Sequence, residues 1–319
     1  MKNTALIVTL LCTATLSFAQ STEKETKEKS ASSDTTKNWK IGGTMGVNLT
    51  QVSLTNWAAG GQNSISANGL FSVFANYAKG KVSWENRLDL GYGTNKQGKN
   101  ASWWKTDDKI DFTSKYGQKA SEKWHYTGLL NFRTQLAPGF NYPDDSTKIS
   151  DFLAPGYVIG ALGMDYKPNA HFTAFISPLT SKTTIVNSQV LADAGAFGVA
   201  PATVDGLGNI LTPGENVRNE FGGYLRLFYK RDVMENINLE SKLDLYSNYL
   251  DNPGNIDVNW EVLIAMKVNK YISATISTQL LYDDDIDIAI DSNDDGITDA
   301  SGPRVQFKEV LGVGLLYKF

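Results

Sequence analysis

The residues best placed to do chemistry are acids. The stretch "DSNDDGITD" sets Asp291, Asn293 and Asp295 at alternate positions ahead of Gly296, with Asp299 closing the loop. Calcium takes about 6–8 oxygen ligands in flexible geometry, which this spacing offers from three acids, one amide and the Ile297 carbonyl. An EF-hand would place its twelfth ligand on Gly302, which has no carboxylate to give. A solvated acidic turn is the alternative reading, since "DDDID" (283–287) shows acid to be abundant nearby.

The two histidines, His125 and His171, are the candidates for acid-base work. A hydrolase would set a His beside a serine or carboxylate, and no G-x-S-x-G nucleophile motif lies near either. A hydrogen-bonded rim histidine is the competing reading. A third group is a set of charges placed at every second position: Glu85, Arg87 and Asp89; Arg133; Arg226; Glu240 and Asp244; Glu261. Asp111, Lys109, Lys115, Lys230, Lys242 and Lys267 extend it.

Such alternation belongs to strands with two unlike faces. Between 81 and 93, Val82, Trp84, Leu88, Leu90 and Tyr92 oppose Lys81, Glu85, Arg87 and Asp89, with Asn86 the one polar residue in the apolar row. Twelve such segments are expected, at 39–52, 64–78, 81–94, 108–117, 123–136, 156–166, 170–180, 219–230, 236–250, 257–268, 271–283 and 304–319. Their connections alternate between short and long. That rhythm, with an even strand number, is what a transmembrane β-barrel requires: tight turns at one rim and long loops at the other. The fold class expected is all-β, a twelve-stranded antiparallel transmembrane β-barrel with its charged rows inside and its apolar rows against lipid.

Aromatic residues fall at the segment ends as two girdles would require. Trp39, Tyr77, Tyr116, Trp124, Tyr126, Tyr229, Tyr271 and Tyr317 mark the short-turn end; Trp57, Tyr92, Tyr249, Trp260 and Tyr282 mark the loop end. The sixth segment departs from the pattern, because Tyr157, Ile159 and Ala161 make its inner row apolar as well. A strand apolar on both faces is usually covered on both. The long 181–218 loop, rich in Gly, Pro and spaced apolar residues, is expected to fold inward against it as a plug or constriction.

Residues 1–19 read as a secretory leader: Lys2, an apolar stretch, then "SFA" ahead of Gln20. Residues 20–37 lack core-forming side chains and read as a disordered periplasmic tether, leaving 38–319 for the barrel. The single cysteine, Cys12, lies in the leader, so a mature chain could hold neither a disulfide nor a thiolate metal site. Losing Lys2 with the leader takes the formal charge from −4 to −5, which argues against a nucleic-acid partner. Beyond the leader no apolar run is long enough for a membrane-spanning helix.

Three stretches, "NWAAGGQNS" (56–64), "SPLTSK" (177–182) and "VQFKEVLGVGLLYKF" (305–319), resemble a family of outer-membrane β-barrel proteins from Bacteroidota known as domain of unknown function 3078. The resemblance implies an outer-membrane location and contributes no catalytic residue. It also implies that Tyr317 and Phe319 act as the assembly signal read by the outer-membrane insertion machinery.

The function expected is passive passage or binding of small solutes, without catalysis or a cofactor other than Ca²⁺. The alternatives are an accessory barrel that docks envelope proteins with a closed lumen and, least favoured, an outer-membrane hydrolase. Outer-membrane lipid is the expected surrounding, with both chain termini periplasmic. The calcium reading predicts saturable binding heat on calorimetric titration, abolished by Asp291→Ala with Asp295→Ala; no heat from the unaltered chain sinks it.

Overall fold

The computed structural model describes residues 38–54, 62–98, 101–269, 272–290 and 299–319, with only the backbone described at 289 and 290. The leader, the tether, Trp57, Tyr271 and four of the five calcium-loop residues lie outside the described residues.

Twelve antiparallel strands form one closed barrel. They are β1 (Trp39–Val52), β2 (Ser64–Lys79), β3 (Val82–Gln97), β4 (Trp104–Lys119), β5 (Trp124–Thr134), β6 (Gly156–Tyr166), β7 (Phe172–Ile185), β8 (Val217–Met234), β9 (Ile237–Asn248), β10 (Ile256–Lys267), β11 (Ile272–Tyr282) and β12 (Gln306–Lys318). Each pairs with its neighbours in sequence, and β12 returns to β1 over Thr44–Asn48 and Gly314–Lys318, which closes the ring. The short connections stay tight: Gly80 turns at φ +60° and Asn236 at +63°, left-handed conformations that Gly and Asn adopt most readily. The long connections carry small two-stranded sheets of their own, at 139–150, 203–212 and 287–303.

Alternation sorts the side chains as the sequence requires. On β1 and β12 the outer row is bare: Ile41 is 68% exposed, Leu311 67% and Tyr317 63%. Charged residues take the other side; Asp111, for example, is 2% exposed. Outside, aromatic residues meet strand to strand near the short turns, with Trp39 5.2 Å from Tyr77 and 5.8 Å from Trp84, and Trp124 4.7 Å from Tyr166 between ring centroids. The misfit Asn86 is satisfied there: it donates to the Ala75 carbonyl at 3.2 Å and accepts from Ser114 Oγ at 2.8 Å, while Trp84 Nε1 donates to that hydroxyl at 2.9 Å.

The "SPLTSK" stretch forms an irregularity in β7 where its register shifts against both neighbours. Ser177 Oγ donates to the Leu162 or Leu179 carbonyl, at 2.8 and 3.0 Å, and accepts from Thr180 Oγ1 at 2.9 Å. These bonds satisfy backbone groups that the bulge removes from the ladder.

The chain's last residue closes the ring. Phe319 and Gly43 exchange backbone bonds of 2.9 and 3.0 Å, extending the Thr44–Asn48 pairing with Gly314–Lys318. The Phe319 ring lies on the outer side with Phe71 and Tyr317, where a Cβ on Gly43 would stand 2.6 Å from it. Gly43→Val therefore forces ring and seam apart, and the heat-modifiable folded form should fall sharply. Phe319→Asp should also lower it, and wild-type amounts in both variants would contradict the role given to this corner.

Candidate functional site

The inner rows meet across the lumen. Strands β3 and β9, and likewise β4 and β10, stand six places apart around a ring of twelve. Yet Arg87 on β3 reaches Glu240 on β9 at 2.6 Å, and Lys109 on β4 reaches Glu261 on β10 at 2.5 Å. Lys242 on β9 meets Asp111 on β4 at 2.7 Å and Glu261 at 3.3 Å. Arg133 on β5 binds Asp244 on β9 at 2.7 Å. Toward the short turns, Lys115 binds Asp165 at 2.8 Å, and Lys167 reaches both Asp165, at 3.2 Å, and Glu85. Together these pairs make a charged septum running from β3 and β4 on one wall to β9 and β10 on the other.

Further partners complete it. Asp244 also accepts from Arg226 Nε at 2.6 Å and from the Tyr224 hydroxyl at 2.7 Å. Asn131 donates to Asp111 at 2.6 Å and accepts from Arg133 Nε at 2.9 Å. All eight charged residues singled out by alternation stand on the inner wall, each with an opposite charge within 4.0 Å. Charges removed from bulk water need such pairing.

The septum divides unlike halves. On the β5–β9 side the inner residues Leu129, Ile159, Ala161, Phe175, Tyr224 and Tyr246 form a buried apolar cluster. The apolar inner row of β6 is thus covered by side chains of neighbouring strands rather than by the 181–218 loop. The loop instead builds its own core from Val186, Leu191, Ala192 and Val199 against Ala154 of the preceding long loop, with the short helix Gln189–Asp193 inside it. Its Asp205 binds the Asn209 side chain at 2.8 Å and the backbone N–H groups of Leu207 and Asn209, which hold this carboxyl below the ordinary carboxylate range.

On the β11–β12–β1–β2 side the inner wall is mostly small and uncharged: Thr44, Asn48, Ser66, Asn68, Ser72 and Ser277, among Gly, Leu70 and Phe74. Inner side chains of β1, β2 and β12 are half-exposed where those of β5–β9 are mostly buried. At the loop rim, Lys182 gathers Asp257 at 2.6 Å, Asp283 at 3.3 Å and Glu220 at 3.5 Å, and Arg218 binds Asp285 at 2.6 Å.

Alternation singled out neither Asp165 nor Lys182, nor the tyrosines Tyr224 and Tyr246. The tyrosines sit two residues from Arg226 and Asp244, in the same inner rows, so the period carried the signal. Lys182 appeared only as the end of "SPLTSK", and nothing local marked it. His171 stands exposed at the short-turn rim, with Nδ1 3.1 Å from the Lys230 carbonyl. His125 opens β5. Among the described residues neither histidine bonds a serine or carboxylate, and no cluster of three or more metal-binding side chains occurs.

Residues 49–140 match the family described as Protein of unknown function (DUF3078). No curated protein matches the chain. Solved structures with some likeness include the translocator domain of the autotransporter NalP from Neisseria meningitidis, at 10% identity and TM-score 0.34, covering 89% of each chain. Another is an outer membrane channel from Pseudomonas putida F1, at 12% identity and TM-score 0.37, covering 88% of this chain and 96% of that one. The beta domain of the Bordetella autotransporter BrkA gives 10% identity and TM-score 0.30 over 86% and 98%. Likenesses this weak carry nothing over to this chain.

Removing one half of a buried pair strands the other half. Asp244→Ala leaves Arg133 and Arg226 facing each other without their carboxylate, and should cost about 3–5 kcal/mol. Asp89→Ala should cost much less, because Arg87 keeps Glu240. The urea midpoint of the folded barrel checks both; equal shifts would contradict the septum.

Proposed function

We propose that the protein spans the outer membrane as a barrel and lets small solutes pass through a narrow part of its lumen. The membrane placement rests on the bare outer rows. Ile41, Leu311, Val313, Leu315 and Tyr317 stand 60–68% exposed, and side chains of this kind left in water would form a large apolar patch. Lipid covers them at no cost, and closing the sheet into a ring is how a β structure pairs its backbone groups in hydrocarbon. Short turns then face the periplasm, as do both termini, and Tyr317 with Phe319 serves as the assembly signal read by the insertion machinery.

The observation that carries passage is the half-exposed inner wall of β1, β2 and β12, beside a septum that fills the rest. Small barrels of eight strands are filled by side chains and those of about sixteen hold open channels, so a partly filled lumen suits twelve. The competing reading, an accessory barrel that docks envelope proteins, draws on the septum itself, since ion pairs meeting across the lumen favour closure. A hydrolase gains no such support from either histidine. The acidic 291–299 loop, with Asp299 exposed at its end, stays a calcium proposal on its sequence alone.

Planar-bilayer recording decides between passage and scaffold. Passage predicts small, stable conductance steps from the purified barrel. Persistent electrical silence, together with no swelling of liposomes in a neutral sugar, would leave the scaffold.

A further inference from the structure

We infer that solutes travel along the β11–β12–β1–β2 half of the lumen, that the Lys308–Asp107 pair is the constriction there, and that the path favours small uncharged hydrophilic solutes. The inference rests on the passage reading and adds route, class and control point.

The two halves offer different surfaces. The β5–β9 half is closed by Leu129, Ile159, Phe175 and Tyr224, all nearly inaccessible, and the septum presents its charges already paired. What is left accessible carries hydroxyls and amides from Thr44, Asn48, Ser66, Asn68 and Ser72. Such groups can exchange hydrogen bonds with a sugar or an amide while it sheds water. An ion entering the same strip would lose hydration, and apart from Lys40 and Lys318 at its short-turn rim no unpaired charge of β1, β2 or β12 among the described residues faces it.

Among the described residues one ion pair spans the arc from β12 to β4. Lys308 on β12 reaches Asp107 on β4 at 2.7 Å, over the arc made by β1, β2 and β3. Glycines at 91 and 93 on the inner face of β3 let the Asp107 side chain pack directly against that strand, since a Cβ at either would stand 3.3 or 3.0 Å from it. Lys308 is 41% exposed, against 14% for Lys242 and 20% for Arg133 in the septum. With Lys308 this exposed, although Asp107 is only 10% exposed, the pair is held less firmly than the septum pairs and can open without disturbing them. The septum pairs are therefore structural, and Lys308–Asp107 is the one whose state sets the width of the path.

The chain's single cysteine, Cys12, makes the route testable. In a Cys12→Ser background, Thr44→Cys and Ser72→Cys barrels in liposomes are treated with a methanethiosulfonate reagent, beside Leu129→Cys and Ala161→Cys. Uptake of a neutral pentose should fall several-fold at the first two and stay unchanged at the second two. Lys308→Met should raise pentose flux several-fold in barrels whose urea midpoint is unmoved, and Asp107→Asn should do the same. Flux blocked from Ala161→Cys but not from Ser72→Cys would overturn the route, and unchanged flux in both latch variants would overturn the constriction. No pentose flux in the unaltered protein would instead sink the passage reading itself, which separates the two failures.

Discussion

A sheet that leaves Ile41, Leu311 and Tyr317 uncovered on its outer side must hide its backbone, and it can do so only by closing on itself. The β1–β12 seam is therefore the contact on which everything else depends. It is short: five paired positions from Thr44 to Asn48, and then the mutual bonds of Gly43 with Phe319. With the ring shut, period two sends each strand's charges to a common interior. Twelve strands make that interior small enough for arginine and lysine to reach the opposite wall. Ion pairing across the lumen is thus a consequence of closure combined with strand number.

The interior is unequal because the sequence is unequal around the ring. Strands β3, β4, β9 and β10 bring long charged side chains, β5 to β8 bring aromatic and aliphatic ones beside Arg133, Asp165, Lys182, Glu220 and Arg226, and β11 to β2 bring mostly serine, threonine, asparagine and glycine. A filled half, a charged septum and a thinly lined half follow from that distribution alone. Any solute path has to use the third. The 181–218 loop caps its own small core beside Ala154 and is not required to explain the buried inner row of β6.

Most of this fold was legible in the residues. Segments expected at 39–52 and 156–166 match Trp39–Val52 and Gly156–Tyr166 to the residue, with Trp39, Gly156 and Tyr166 marking three of the four ends. The seventh segment was cut short at 180, whereas β7 continues to Ile185. Beyond the Ser177 bulge, "SKTT" has no apolar row to betray a strand, although its backbone still pairs with β8. The inward direction of Glu85, Arg133 or Asp244 was readable from spacing; their partners were not. Lys109 finds Glu261 across 152 residues and Lys308 finds Asp107 across 201, distances fixed only when the ring closes. The calcium loop stays a matter of sequence, since 291–298 lie outside the described residues.

The central claim is that one face of every strand meets lipid and the other meets the lumen. Nitroxide labels placed singly at positions 67 to 74 of β2 test it directly, since the inner residues there stand outside the septum. In bilayers, labels at 67, 69, 71 and 73 should relax strongly with oxygen and weakly with a water-soluble nickel complex, while those at 68, 70, 72 and 74 should be shielded from oxygen. Equal access to the nickel complex from both rows would contradict the account.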